Sequence, residues 1–167
     1  MFMRSPRLFL RPPFPEDGQD FAGAMTGAGL LHRVKPMVSE TPPSITAQTR
    51  PGRKDACYPR LAITLPTIAG APVIGVAALL QRADETELVC GIVPGMRGRG
   101  FASEAVLALL EIASVIGHQT LIAVPLGGDP AWSRVLDKAG FARISGDTVY
   151  RIDVGGYRSA GSVPAAA

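Results

Sequence analysis

An apolar run, Leu88-Val89-Cys90-Gly91-Ile92-Val93, ends at Pro94-Gly95-Met96 and leads into Arg97-Gly98-Arg99-Gly100-Phe101-Ala102. A segment with helical apolar periodicity, Ala102 to Ile116, follows and stops at Gly117, a residue suited to a left-handed C-terminal cap. A buried strand, a glycine-rich turn and a helix, in that order, constrain this chain more than any other stretch. The N–H groups of the turn and of the first helical turn point one way, and the helix dipole favours an anion there. Thr120-Leu121-Ile122-Ala123-Val124 reads as a second buried strand. Leu88 to Val124 is therefore a βαβ unit, and its two strands should be parallel neighbours.

The flanking segments supply the rest of a sheet. Arg7 to Arg11 reads as a first strand halted by Pro12 and Pro13, and Pro15 to Met25 as a short helix with proline and acids at its start. Arg60 to Leu65 and Val73 to Leu80 form a hairpin across the Pro66 to Pro72 turn, and the polar stretch Ala83 to Thr86 precedes a central strand beginning at Glu87. Asp129 is an expected N-cap and Pro130 a first helical residue for a helix ending at Ala139, before Gly140. Residues 141–144 and 148–154 read as a closing hairpin around Ser145-Gly146-Asp147. Leu30 to Pro59 carries five prolines and reads as an irregular loop, with a short helix near Leu30 to Val34 as one option. The expected organisation is a single domain over 1–154 and a disordered Gly/Ser/Ala tail over 155–167.

Composition narrows the classes. At 47% hydrophobic and 19% charged residues the chain is not disordered, and 167 residues suffice for a real core. A net charge of +3 suits an anionic ligand and is weak support for nucleic acid, which is not expected as a partner. Cys57, Cys90, His32 and His118 show no metal-ligand spacing, so no metal is expected. No signal peptide or membrane-length apolar run is evident, which makes a cytoplasmic protein without membrane association the expectation. Gly98 to Ser103 nearly matches the dinucleotide pattern Gly-x-Gly-x-x-Gly, but the third glycine is missing. The next strand also ends in Pro125 rather than in an acid that would hold a ribose.

Four pieces together resemble the GNAT superfamily of N-acetyltransferases, and within it the branch that acetylates ribosomal-protein N-termini. They are Pro6-Arg7-Leu8-Phe9-Leu10-Arg11-Pro12 with Pro15-Glu16-Asp17 and Phe21; Glu87-Leu88 at the head of the central strand; Arg97 to Ala102 continued by Ser103-Glu104-Ala105; and Asp129-Pro130-Ala131 through Arg134 to Gly140-Phe141. The resemblance covers residues 5–154, apart from Leu30 to Pro59. It implies an α/β fold: a mixed, mostly antiparallel sheet with one parallel pair splayed at the cofactor and helices on both faces.

The resemblance also implies acetyl-CoA as co-substrate and direct attack of a primary amine on the thioester. Arg97, Gly98, Arg99, Gly100, Phe101 and Ala102 would hold the pyrophosphate, the glycines by permitting close backbone approach. A backbone N–H near Ile92 or Val93 would stabilise the oxyanion. Glu87 is the candidate base, and equally a solvated charge at a strand end; Asp84 and Glu85 are the fallbacks in the turn before it. Asp129 stands where the branch has asparagine, and it is either a cofactor contact or simply the N-cap. Trp132 stands in the place of a serine beside the cofactor sulfur, and Leu136 in the place of an acidic tyrosine. The acid for the departing thiolate is then Ser133, solvent, or absent. The acceptor is a peptide or small amine in an open groove, and the protein a monomer or homodimer. The rival function is a non-catalytic acyl-CoA-binding module.

Overall fold

The computed structural model describes residues 2–30, 32–34, 57–125, 129–144 and 149–157. Eight strands form one sheet in the order β1-β2-β3-β4-β5-β6-β8-β7. They are β1 (Met3–Arg4), β2 (Phe9–Arg11), β3 (Arg60–Thr64), β4 (Val73–Arg82), β5 (Glu85–Ile92), β6 (Thr120–Ala123), β7 (Ala142–Ile144) and β8 (Val149–Asp153). Helix α1 spans Gly18–Gly27 after a 3-10 turn at Pro15–Asp17; α2 spans Phe101–Val115 and α3 Pro130–Lys138. Neighbouring strands pair antiparallel throughout, except β5 with β6.

The sheet is covered on both faces, and the alternation of side chains along the strands shows how. On β4, Ala77 and Leu79 join the core that holds α2 and α3, while Val76, Ala78 and Leu80 pack with Phe21, Ala24 and Met25 of α1. A strand buried on both sides reads as a continuous apolar run, which explains the unbroken hydrophobicity of Val73 to Leu80. The hairpin between β4 and β5 is longer than the sequence suggests. Pairing continues to Arg82↔Glu85, so the connection has only Ala83 and Asp84, with Ala83 at φ 45°. Polar Gln81, Arg82, Glu85 and Thr86 thus belong to strands, because backbone pairing extends beyond the apolar core.

Two further differences come from the N-terminal half. Met3 and Arg4 add a strand to β2, a pairing too short to leave a periodic signal. Near Leu30 there is a turn rather than a helix, in which Arg33 N and Val34 N both donate to the Leu30 carbonyl. Most of the expected Leu30 to Pro59 loop, residues 35–56, lies outside the described residues, as do the Ser145-Gly146-Asp147 turn and residues 158–167 of the expected tail. Gly155 to Tyr157 are described: Gly155 N donates to the Gln119 carbonyl, and Tyr157 packs against the core.

Candidate functional site

Strands β5 and β6 share a single register point, Glu87↔Ile122. Beyond it they part, and a cleft of about 440 Å³ opens between Leu88–Ile92 and Val124, bounded by the start of α2 and by α3. The register with β4 fixes which backbone groups face this gap. Val93 N donates to the Ile74 carbonyl at 2.9 Å, and the antiparallel pairing is regular from Gly75↔Ile92 to Arg82↔Glu85. Hydrogen-bonding direction alternates along an antiparallel strand, so the N–H groups of Cys90 and Ile92 point away from β4 towards β6. Of the two expected oxyanion donors, Val93 is corrected: its N–H is committed to β4.

The anion cradle lies at the open end of the cleft. Gly98 (φ 74°) and Gly100 (φ 81°) hold the left-handed conformations that glycine adopts without strain, and Gly100 is the N-cap of α2. Among the described residues, no backbone carbonyl or side chain accepts a hydrogen bond from the N–H groups of Gly98 through Ser103. Six adjacent donors at a helix N-terminus are thus left to solvent or to an anion. Gly98, Gly100, Phe101, Ala102 and Ser103 all line the cleft.

The two arginines of this turn, expected at the pyrophosphate, are placed differently: Arg97 lines the cleft and Arg99 does not. The Arg97 guanidinium donates from Nε to the Ile92 carbonyl at 2.9 Å and from Nη2 to the Gly27 carbonyl at 2.8 Å. It ties the end of β5 to the C-terminal end of α1, where the helix dipole favours a cation. Arg99 is exposed and does not line the cleft; its carbonyl accepts from Arg7 Nη1 at 3.0 Å. Arg7, given no role from sequence, also pairs with Glu104 and lies 4.8 Å from the centre of the Phe101 ring. Burial pushes the Glu104 carboxyl up, but hydrogen bonds from Ser5 and Arg7 and the charge of Arg7 outweigh it and hold Glu104 below its ordinary value. This clasp fixes the first turn of α2 against the N-terminal strands.

Helix α3 forms the opposite wall. Asp129 caps it, accepting from Ala131 N at 2.9 Å, which is the N-cap reading, and it also lines the cleft. Trp132 lines the cleft. Ser133 does not, because one residue of helix rotates it about 100° from its neighbour; the expected acid is displaced from the site. Leu136 is fully buried in the core. Arg134 and Lys138, four residues apart on one helix face, do line the cleft and were not singled out by sequence. Once Asp129 is taken as the cap, helical spacing from Ala131 is the signal that would have found them.

The carboxylates are corrected too. Glu87 does not line the cleft, although it lies at the point where the strands part. Its side chain is 2% exposed and sits between two guanidiniums. Arg82 Nε donates to Oε2 at 2.7 Å, and Arg33 Nη2 lies 2.6 Å from Oε1 as an ion contact without hydrogen-bond alignment. An amine in the cleft therefore meets Arg33 before it meets Glu87. Glu85 pairs with Arg151 of β8, and Asp84 is exposed at the hairpin tip; neither borders the cleft. Cys90 does border it, and burial pushes its thiol up to about 12. A thiol held protonated is a poor nucleophile.

Comparison with known proteins supplies the context. A family model described as an acetyltransferase (GNAT) domain matches residues 7–142. No curated protein matches the chain. Among solved structures, an acetyltransferase of the GNAT family from Bacillus anthracis aligns with a TM-score of 0.66 at 17% identity, over 92% of this chain and 99% of that one. An acetyltransferase from Agrobacterium tumefaciens aligns at 0.63 and 22% identity, over 91% and 94%. The ribosomal-protein-S5-alanine acetyltransferase from Vibrio fischeri aligns at 0.65 and 10% identity, over 95% and 100%.

Proposed function

The chain belongs to the GNAT acetyltransferase family, and from that premise we propose that it transfers the acetyl group of acetyl-CoA to a primary amine by direct attack. The observation that carries the reading is the conjunction of two features: a parallel strand pair joined at one register point, and six N–H groups at the α2 N-terminus that have no hydrogen-bond acceptor among the described residues, beside the resulting gap. An anionic pyrophosphate fits that cradle, and the unpaired strand edge offers N–H groups to an extended amide-bearing arm.

Acetyl-CoA supplies an activated acyl carbonyl and a fair leaving thiolate. The chain supplies position and charge. The N–H groups of Cys90 and Ile92 face the gap and are the donors available to a developing oxyanion. The neutral amine nitrogen attacks and bonds to the carbonyl carbon, the carbon–sulfur bond breaks, and the proton left on the newly bonded nitrogen passes to water in the open cleft. The thiolate takes its proton from solvent, since the indole N–H of Trp132 is no acid and Ser133 lies off the cleft. Glu87 acts through Arg33, as a positioning residue. Burial holds the Cys90 thiol above its ordinary value, which supports direct attack over an acyl-enzyme.

Among the described residues neither Ser133, off the cleft, nor Leu136, in the core, offers an acid beside Trp132, which favours a second reading, an acyl-CoA-binding module without turnover. Thiol release from acetyl-CoA, followed over a panel of peptides and small amines, separates them. Amine-dependent release supports the transferase; saturable acetyl-CoA binding with no release on any amine supports the module.

A further inference from the structure

The cleft has a charge pattern that speaks to its acceptor. Its charged lining residues are Arg33, Arg97, Arg134, Lys138 and Asp129, and Asp129 is engaged at the α3 cap. Arg134 and Lys138 are on α3, and Arg97 is held by two carbonyls at the end of β5; Arg33 is the one at the crotch of the strand pair. Arg33 Nη1 donates to the Val124 carbonyl at 2.8 Å and Nη2 contacts Glu87, so the guanidinium bridges the end of β6 and the start of β5. It reaches there from the turn after α1, on the sheet face opposite α2 and α3. On that face Leu30 packs with the α1 core, and a Cβ on Gly91 would meet Ala28 and Leu30. Ala28, Leu30 and Arg33 line the same cleft from the α1 side, where a second substrate would meet Arg33.

Among the described residues, one of the five N–H donors of Arg33 is in an aligned hydrogen bond, and a second nitrogen lies in the ion contact with Glu87. Its counter-ion Glu87 is shared with Arg82, which holds the better geometry. We propose that Arg33 is the specificity-determining residue for the acceptor, and that the acceptor is a primary amine carrying a carboxylate within a few bonds of the amine. A carboxylate takes the unused donors of Arg33 in the fork geometry that guanidinium favours. A polyamine or a lysine-rich segment instead brings further positive charge to a cleft whose lining is already cationic, and is rejected. This inference rests on the acetyl-transfer reading.

The test uses the full chain and matched acceptors: the tripeptide amides Ala-Asp-Ala and Ala-Lys-Ala, free glutamate and spermidine. The expected result is a kcat/KM at least ~10-fold higher for Ala-Asp-Ala amide than for Ala-Lys-Ala amide, carried by KM and shrinking as salt rises. Arg33→Gln should collapse that ratio and Arg33→Lys should retain part of it. Preference for glutamate over the acidic peptide places the chemistry on a free amino acid, and the reverse places it on a peptide N-terminus. Equal use of the two peptides, or preference for spermidine, overturns the inference while leaving acetyl transfer intact. If acetyl-CoA binds without turnover, calorimetry of the two peptides against the CoA-saturated protein decides by the same ratio. Failure to bind acetyl-CoA overturns the transferase reading and this inference with it.

Discussion

Gly91→Ala is the sharpest perturbation of the architecture around the cleft. Gly91 sits mid-gap on β5 with its missing side chain directed at α1. A Cβ there would lie 2.4 Å from Ala28 Cβ and 3.0 Å from Leu30 Cδ1. Carbon atoms pack at roughly 3.5 Å or more, so the end of α1 must retreat by about 1 Å. That end is not free to move: the Gly27 carbonyl accepts from Arg97 Nη2 at 2.8 Å, and Arg97 is anchored in turn on Ile92. Overpacking costs about 1–3 kcal/mol, and a stretched hydrogen bond from a charged donor about 1 kcal/mol more. We expect a loss of about 2–4 kcal/mol in urea unfolding with m unchanged, or a Tm lower by roughly 5–15 °C. Ala28→Gly in the same chain removes the nearer clash, and the double variant should recover at least half of the loss. Displacement of α1 also moves Ala28, Leu30 and Arg33, which line the cleft, so acceptor KM should rise more than acetyl-CoA affinity falls. A Gly91→Ala protein within about 0.5 kcal/mol of the parent, or no rescue by Ala28→Gly, would refute the packing argument.

Three further outcomes follow from the site. Ser133→Ala should leave kcat within about twofold of the parent, since Ser133 is off the cleft; a drop of about 100-fold or more would restore it as the acid. Incubation with acetyl-CoA alone should give no acetyl adduct on Cys90 by intact mass, and a stoichiometric adduct would contradict direct attack. Asp17 accepts from Arg11 and from Phe14 N, and the Arg11 hydrogen bond leads in holding its carboxyl below the ordinary value against the opposing effect of burial. A depressed folded-state pKa adds stability that is complete above the ordinary carboxylate value and is lost as pH falls through the folded one. Asp17→Asn should therefore cost about 1–3 kcal/mol at pH 7 and less in acid, so that parent and variant stability curves converge as pH falls. Parallel curves would show that Asp17 is not part of the acid transition.

The parts legible in the sequence were those with strong local grammar. The Leu88 to Gly117 strand, turn and helix, the Asp129-Pro130 cap and the parallel partner at Thr120 each rest on apolar periodicity or glycine and proline chemistry within a few residues. What the sequence hid depends on contacts between distant residues. Arg97 looks like a phosphate ligand beside two glycines, yet its guanidinium finds the carbonyls of Ile92 and Gly27. Arg33 precedes a proline-rich stretch and reaches Glu87 and Val124 only because α1 crosses the sheet behind β5. Glu87 reads as an available carboxylate until Arg33 and Arg82 close on it. Val93 and Ile92 are equivalent in sequence and opposite in hydrogen-bonding direction, a difference set by register alone.

The central claim is that the glycine turn at the head of α2 is the acyl-CoA site. Calorimetric titration of acetyl-CoA into the parent, Gly100→Asn and Gly100→Glu tests it directly. Asparagine tolerates the left-handed backbone at φ 81° and keeps the turn, so it serves as the control for strain. We expect saturable binding to the parent, a modest loss in Gly100→Asn, and a loss of about 100-fold or more in a folded Gly100→Glu, which adds a negative charge at the turn that holds the anion. Equal affinity of acetyl-CoA for the parent and a folded Gly100→Glu would show that the anion is held elsewhere.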